Sequence, residues 1–136
     1  MLTIGHFDAG GSPCTKIVLR GLDGTRHTLD DVVIDTGFWG CLQLPMDRAM
    51  SIGLDEGPPV GSTLADSRRI TMETGYGEVE FQGYSRRALI ALSPEMPRYL
   101  VGMDFLRIFR LALVVQPPSD VALIDQRLAW PDLTPE

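Results

Sequence analysis

Polar and apolar residues alternate along most of the chain, and the alternating segments are separated by Gly, Pro, Asp and Ser. A period of two is typical of β-strands with one buried face, and the separating residues are typical of turns. The run at 32–34 is apolar and β-branched throughout, which favours a buried strand. The pattern predicts strands at 2–7, 15–19, 32–34, 42–45, 61–66, 68–74, 77–83, 86–92, 100–101, 111–115 and 121–124.

Two short segments have helical features instead. Pro45 suits the first position of a helix over 45–52, and Gly53 is a typical helix stop. Residues 104–109 have the apolar spacing of a single helical segment and follow Gly102, which ends a strand. The prediction is a mostly-β chain with one or two short helices.

The length of 136 residues corresponds to one domain, 1–136, and 44% hydrophobic residues are typical of a globular protein. A net charge of −6 argues against nucleic acid and anionic membranes as partners, because both attract basic surfaces. No stretch approaches the roughly 18 apolar residues of a membrane span, and the first residues lack a signal-peptide pattern. We therefore expect a cytoplasmic protein with no nucleic-acid or membrane partner.

The cysteines and histidines indicate no metal site. Cys14 and Cys41 are too few for a disulfide framework and lack the spacing of zinc ligands, so we expect reduced thiols. His6 and His27 have no cysteine or acidic residue at ligand spacing. The expectation is a protein without metal or cofactor.

Asp35 ends the buried run 32–34 and is followed by Thr36 and Gly37. These three residue types are common in turns, so a structural role is the simplest interpretation. A carboxylate at the edge of a core nevertheless needs hydrogen bonds or a partner to offset its desolvation. The Gly37 N–H can donate to it, and the Thr36 hydroxyl can bridge to another backbone.

Two motifs resemble those of the retropepsin-like aspartic proteases, the retroviral-type family of clan AA. One is Val33-Ile34-Asp35-Thr36-Gly37, and the other is Leu100-Val101-Gly102 running into a short helix. They are 102 − 35 = 67 residues apart, which leaves room for the flap hairpin of that family. The resemblance implies a closed β-barrel of the acid-protease fold, with its core at about 15–115 and a C-terminal hairpin and tail at 116–136. It also implies that the two motifs cross beneath the active site.

The resemblance implies catalysis by Asp35, with Thr36 and Gly37 in supporting roles. Peptide hydrolysis of this kind uses two carboxylates that share one proton around a water molecule. The chain has a single Asp-Thr-Gly, so the second Asp35 must come from another copy. We therefore expect a homodimer that cleaves peptides or unfolded proteins, with Thr36 reaching across the symmetry axis.

Further residues are candidates for substrate contact. We expect a flap hairpin over 62–71 with its tip at Ala65, Asp66 and Ser67, although an ordinary hairpin turn has the same pattern. Phe38 and Val101 are expected to line the substrate site. Trp39 either forms a wall of a subsite or packs beneath the catalytic loop.

Two other functions fit the same motifs. A retropepsin-like dimer can serve as a non-catalytic binding or assembly module in which Asp-Thr-Gly is retained for structural reasons. A β-barrel ligand binder would instead be a monomer with a single pocket. This chain differs from the viral members at two places. It has Phe38 and Trp39 where the viral enzymes have a small residue, and it has Met103-Asp104 where their helix has an arginine.

Overall fold

The computed structural model describes residues 2–63, 66–95 and 97–129. Its strands are β1 (Leu2–Ile4), β2 (His6–Phe7), β3 (Pro13–Arg20), β4 (Arg26–Ile34), β5 (Leu42–Pro45), β6 (Asp55–Glu56), β7 (Val60–Thr63), β8 (Arg69–Phe81), β9 (Tyr84–Ser93), β10 (Leu100–Val101), β11 (Leu111–Gln116) and β12 (Asp120–Asp125). Its helices are α1 (Met46–Ile52), α2 (Met103–Ile108) and α3 (Gln126–Ala129).

The larger sheet closes into a barrel. Its strands pair in the order β2-β3-β4-β10-β5-β9-β8-β6, and β3 also pairs with β8, which completes a ring. Strand β7 pairs with the first part of β8 as a hairpin. A separate three-stranded sheet has the order β1-β12-β11. The predicted mostly-β, closed-barrel, acid-protease-like architecture is therefore confirmed.

The barrel interior is filled by alternate residues of its strands, as the period of two predicts. Leu19, Leu44 and Ile90 are fully buried there. Helix α2 closes one end, where Phe105 is also fully buried and its ring lies 5.2 Å from that of Phe81, centroid to centroid. These contacts fix α2, and with it the residues that precede α2, against the barrel.

Strand β8 differs from the sequence prediction because it is continuous through two glycines. Gly75 and Tyr76 separate the two strands predicted at 68–74 and 77–83, yet both lie inside β8, as does Gly77. A Cβ at Gly75 would come within 2.6 Å of the Leu54 side chain, and one at Gly77 within 3.0 Å of Leu19. These glycines permit close packing across the sheet rather than a turn.

The short strand β10 positions the functional site. It lies between β4, to which it is parallel, and β5, to which it is antiparallel. The two sequence motifs are thus hydrogen-bonded neighbours in the middle of the sheet.

The four-residue helix α3 is an addition that the sequence did not indicate. None of the described helices has the length and hydrophobicity needed to cross a membrane.

Candidate active site

Asp35 is held by backbone hydrogen bonds directly after the end of β4. Its N–H donates to the Val101 carbonyl at 2.9 Å, and the Gly37 N–H donates to its Oδ1 at 2.9 Å. The Phe38 N–H donates to the Asp35 carbonyl at 3.1 Å, which closes a tight turn. The side chain is half-buried. The carboxylate therefore has a fixed orientation, as expected from the Asp-Thr-Gly motif.

The loop after Asp35 is attached to the beginning of α2. The N–H groups of Met103 and Asp104 donate to the carbonyls of Phe38 and Trp39 at 2.8 and 3.2 Å. Gly102, which precedes the helix, lies so close to the loop that an added Cβ would come within 2.1 Å of the Phe38 carbonyl oxygen. Only glycine permits this approach of the two backbones. The two motifs thus form one rigid unit.

Asp35 lies at a cavity of about 820 Å³. Among the described residues that line it, Asp35 is the only charged one. Most of the others are apolar and come from the Asp35 loop, the barrel wall and the hairpin, among them Phe38, Trp39, Met72, Leu89 and Leu100. The cavity is therefore suited to an extended, mostly apolar ligand.

The two aromatic residues after Gly37 have different positions. Phe38 is half-buried and packs against Cys14, Val33 and Leu100. Trp39 lines the cavity and is 79% exposed. Of the two positions considered for Trp39, the structure places it at the wall of the cavity and not beneath the loop.

Strand β10 presents Leu100 to the cavity, and not Val101 as the sequence analysis expected. Val101 is fully buried in the main core and does not line the cavity. Leu100 does line it. Successive residues of a strand point to opposite faces, so only one of the two can face the cavity. The carbonyl of Val101 still contributes, because it holds the Asp35 N–H.

A hairpin is present where the flap was expected. Strand β7 pairs with β8, with Thr63 opposite Arg69, and the Arg68 N–H donates to Asp66 Oδ1 at 3.1 Å in the turn. Ser67 has a positive φ of 72°. Ala65 lies outside the described residues.

The strands of the hairpin contribute to the cavity, and the described residues of its turn do not. Val60, Gly61, Thr63 and Met72 line the cavity, whereas Asp66 and Ser67 do not. The turn instead carries an ionic cluster. Arg68 contacts Asp66 at 2.7 Å and Glu95 at 3.2 Å, and its side-chain hydrogen bond lowers the pKa of Asp66.

Gln43 is a cavity residue that the sequence analysis did not identify. It lies in β5 between Leu42 and Leu44, which are both fully buried in the main core. Its side chain must therefore point to the other face of the sheet, and Gln43 lines the cavity. A single polar residue within a short apolar strand is the signal that could have revealed it.

The described residues contain no group of three or more His, Cys, Asp and Glu residues that could hold a metal. Burial raises the pKa of the Cys41 thiol to about 12, and burial is also the main reason that the pKa of Cys14 is about 11. Both thiols are therefore protonated near neutral pH. Asp35 remains the candidate reactive group at the cavity.

Solved structures with the same fold are known, although no family model and no curated protein sequence matches the chain. A retropepsin-like aspartic protease from Rickettsia conorii superposes with a TM-score of 0.64, 13% identity and 90% coverage of both chains. EIAV protease complexed with the inhibitor HBY-793 superposes with a TM-score of 0.52 and 17% identity, covering 80% of this chain and 98% of that one. The chain therefore has a retropepsin-like fold.

Proposed function

We propose that this protein is a homodimeric aspartic endopeptidase that acts on peptides or unfolded proteins. The observation that carries the proposal is Asp35, a carboxylate fixed by backbone hydrogen bonds at a cavity with no other charged group among its described lining residues. One carboxylate acts as the base toward a water molecule. The other, protonated, polarises the carbonyl of the bond to be cleaved.

The second carboxylate comes from a second copy of the chain. Thr36 and Gly37 are exposed beside Asp35, so a partner can approach the loop from that side. Two carboxylates about 3 Å apart cannot both ionise, and they hold one proton between them.

The three-stranded sheet offers a surface that supports this association. Its register places Leu2 opposite Ile124, and Ile4 and Val114 on either side of Ala122. Leu2, Ile4 and Val114 are all exposed. An apolar sheet face and the open edges of β1 and β11 both favour burial against a partner. We propose that this sheet belongs to the dimer interface.

The proposal is tested with Asp35→Asn, which is nearly isosteric but cannot accept a proton from water. The expected result is loss of cleavage of an unstructured protein, together with a dimer that still forms in sedimentation. Asp47→Asn is the matched control, because Asp47 is an exposed acid on α1 and does not line the cavity. Cleavage by the wild type should also decrease on dilution below the dimer dissociation constant.

Two results would contradict the proposal. Cleavage by Asp35→Asn at the wild-type rate would mean that Asp35 is not catalytic. A wild-type dimer that binds unfolded protein but never cleaves it would identify the chain as a binding or assembly module.

A further inference from the structure

Gln43 lies in the middle of a row of buried residues that crosses the sheet. The strand registers place Gln43 opposite Leu100 on one side and opposite Ala91 on the other. The row continues to Val33 beyond Leu100 and to Thr74 beyond Ala91. Leu100, Ala91 and Thr74 line the same cavity as Gln43. The Gln43 amide is thus in the wall of the cavity, between apolar neighbours.

The amide of Gln43 has no hydrogen-bond partner among the described residues, although the residue is only 6% exposed. Thr74 shows the usual situation in the same row, because its buried hydroxyl donates to the Pro58 carbonyl at 2.6 Å. The Gln43 amide does not belong to the fully enclosed polar atoms that lack a partner, so it reaches open space and can bind water when no ligand is present. The available space next to Gln43 is the cavity, so its donor and acceptor are directed to whatever occupies the cavity.

The distance to Asp35 fits a side chain of an extended peptide. Neighbouring strands are about 4.8 Å apart, so Gln43 in β5 lies roughly 10 Å from Val33 in β4, with β10 between them. Asp35 is two residues beyond Val33, or about 7 Å along the strand. The resulting separation of about 12 Å corresponds to three or four residues of an extended chain.

We propose that Gln43 is a specificity-determining residue that selects an asparagine or glutamine side chain within about four residues of the cleaved bond. The inference rests on the proposed function. A primary amide has one donor and one acceptor group, so it can form a pair of hydrogen bonds with the Gln43 amide. A charged side chain would lose its hydration without finding an opposite charge at this position, because Asp35 is the only charged group among the described lining residues. An apolar side chain would leave the Gln43 amide unsatisfied.

The experiment uses a series of peptides that differ at one position, with Gln, Leu or Glu placed at each of the four sites on either side of the cleaved bond. Ratios of kcat/KM are measured for the wild type, for Gln43→Met and for Thr28→Val. Methionine is close to glutamine in size, and Thr28→Val is a polar-to-apolar control at an exposed position of β4 that does not line the cavity. We expect a preference for Gln over Leu of about tenfold at one site in the wild type, the size of one or two neutral hydrogen bonds.

In Gln43→Met the same ratio should fall to about one or reverse in favour of Leu. Thr28→Val should retain the wild-type ratio. Thermal unfolding of both variants checks that the comparison is made between folded proteins. A Gln-over-Leu ratio that is the same in the wild type and in folded Gln43→Met would overturn the inference while leaving the proposed function intact.

Binding to Asp35→Asn separates the inference from the proposed function. The dissociation constants of the same peptides are measured with this variant alone and combined with Gln43→Met. A Gln preference that the second substitution abolishes supports the role of Gln43 even if the wild type cleaves nothing. Absence of any difference between the Gln and Leu peptides in this measurement would overturn the inference.

Discussion

The backbone N–H of Met103 donates a hydrogen bond to the carbonyl oxygen of Phe38 at 2.8 Å, which fastens the first turn of α2 to the loop that carries Asp35. The two residues are distant in sequence but belong to the two motifs that the sequence analysis singled out. Because α2 is anchored in the core by Phe105, the position of the loop that carries Asp35 is determined by the packing of the core. The loop should therefore be sensitive to changes at its contact with α2.

We expect Gly102→Ala to displace this loop. The added Cβ would lie 2.1 Å from the Phe38 carbonyl oxygen and 2.6 Å from that of Gly40, so a backbone has to move. Overpacking of this kind costs about 1–3 kcal/mol. Urea unfolding should show the loss, and cleavage should decrease further than the fraction of unfolded protein explains.

Gly10→Ala is the control for Gly102→Ala. A Cβ at Gly10 would meet only the Asp8 side chain at an ordinary distance of 3.5 Å. Equal stability and equal cleavage for the two alanine variants would show that the contact between α2 and the loop is not tight.

A second prediction concerns the buried threonines 15 and 74. The Thr15 hydroxyl is buried and lacks a partner among the described residues, whereas the Thr74 hydroxyl donates to Pro58. Thr15→Val should leave the free energy of unfolding unchanged or raise it by about 1 kcal/mol, because an unsatisfied group is removed. Thr74→Val should lower it by about 1–2 kcal/mol, because the Pro58 carbonyl loses its donor. Thermal or urea unfolding tests both, and a reversed order would contradict the hydrogen-bond assignment.

Trp39→Ala should weaken substrate binding with little effect on stability. The Trp39 side chain is largely exposed at the cavity wall, so truncation removes contact area for a ligand but few contacts of the folded chain. We expect KM to rise several-fold and the free energy of unfolding to change by less than about 0.5 kcal/mol. Leu22→Ala is the control, since Leu22 is comparably exposed at 69% and does not line the cavity. An equal effect of the two substitutions on KM would exclude Trp39 as a subsite wall.

Alkaline pH should destabilise the protein through its buried thiols. Burial raises the pKa of Cys41 from 9.0 to about 12, so above pH 9 the unfolded chain loses a proton that the folded chain retains. The stability is therefore complete below pH 9 and decreases as the pH rises toward 12. One such thiol contributes a slope of about 1.4 kcal/mol per pH unit.

Unfolding free energies at pH 8, 9 and 10 measure this slope, and Cys41→Ala isolates it from the other groups that titrate in the same range. The variant should show a smaller loss of stability between pH 9 and 10 than the wild type. A slope identical to that of the wild type would mean that the Cys41 thiol ionises in the folded state.

Local features of the sequence were sufficient for most of the fold. The alternation of polar and apolar residues placed the strands, and Pro45 and Gly53 bounded α1, with Pro45 as the preceding residue. The strand prediction was wrong at a glycine, because glycine can either end a strand or permit close packing within it. The sequence prediction leaves Gly75 in a gap between two strands, whereas in the structure Gly75 permits close packing within a continuous β8.

The candidate site was predictable in part. Asp35, its hydrogen bond from Gly37 and the neighbouring motif at Leu100 to Gly102 follow from residue types and order. The sequence does not decide between Leu100 and Val101. Their side chains point to opposite faces of a two-residue strand, but the sequence does not show which of the two faces lies toward the cavity. The position of Trp39 was likewise left open between two alternatives.

The sequence by itself thus determined the barrel class and the position of Asp35 at the end of a buried strand, because these depend on residue identity and local periodicity. Only the tertiary structure decided which side chains surround that carboxylate. The row that includes Leu100, Gln43 and Ala91 joins strands β10, β5 and β9, whose register is fixed by pairing across the sheet. Such pairing depends on how the whole barrel closes over its core, and no short stretch of the chain encodes it.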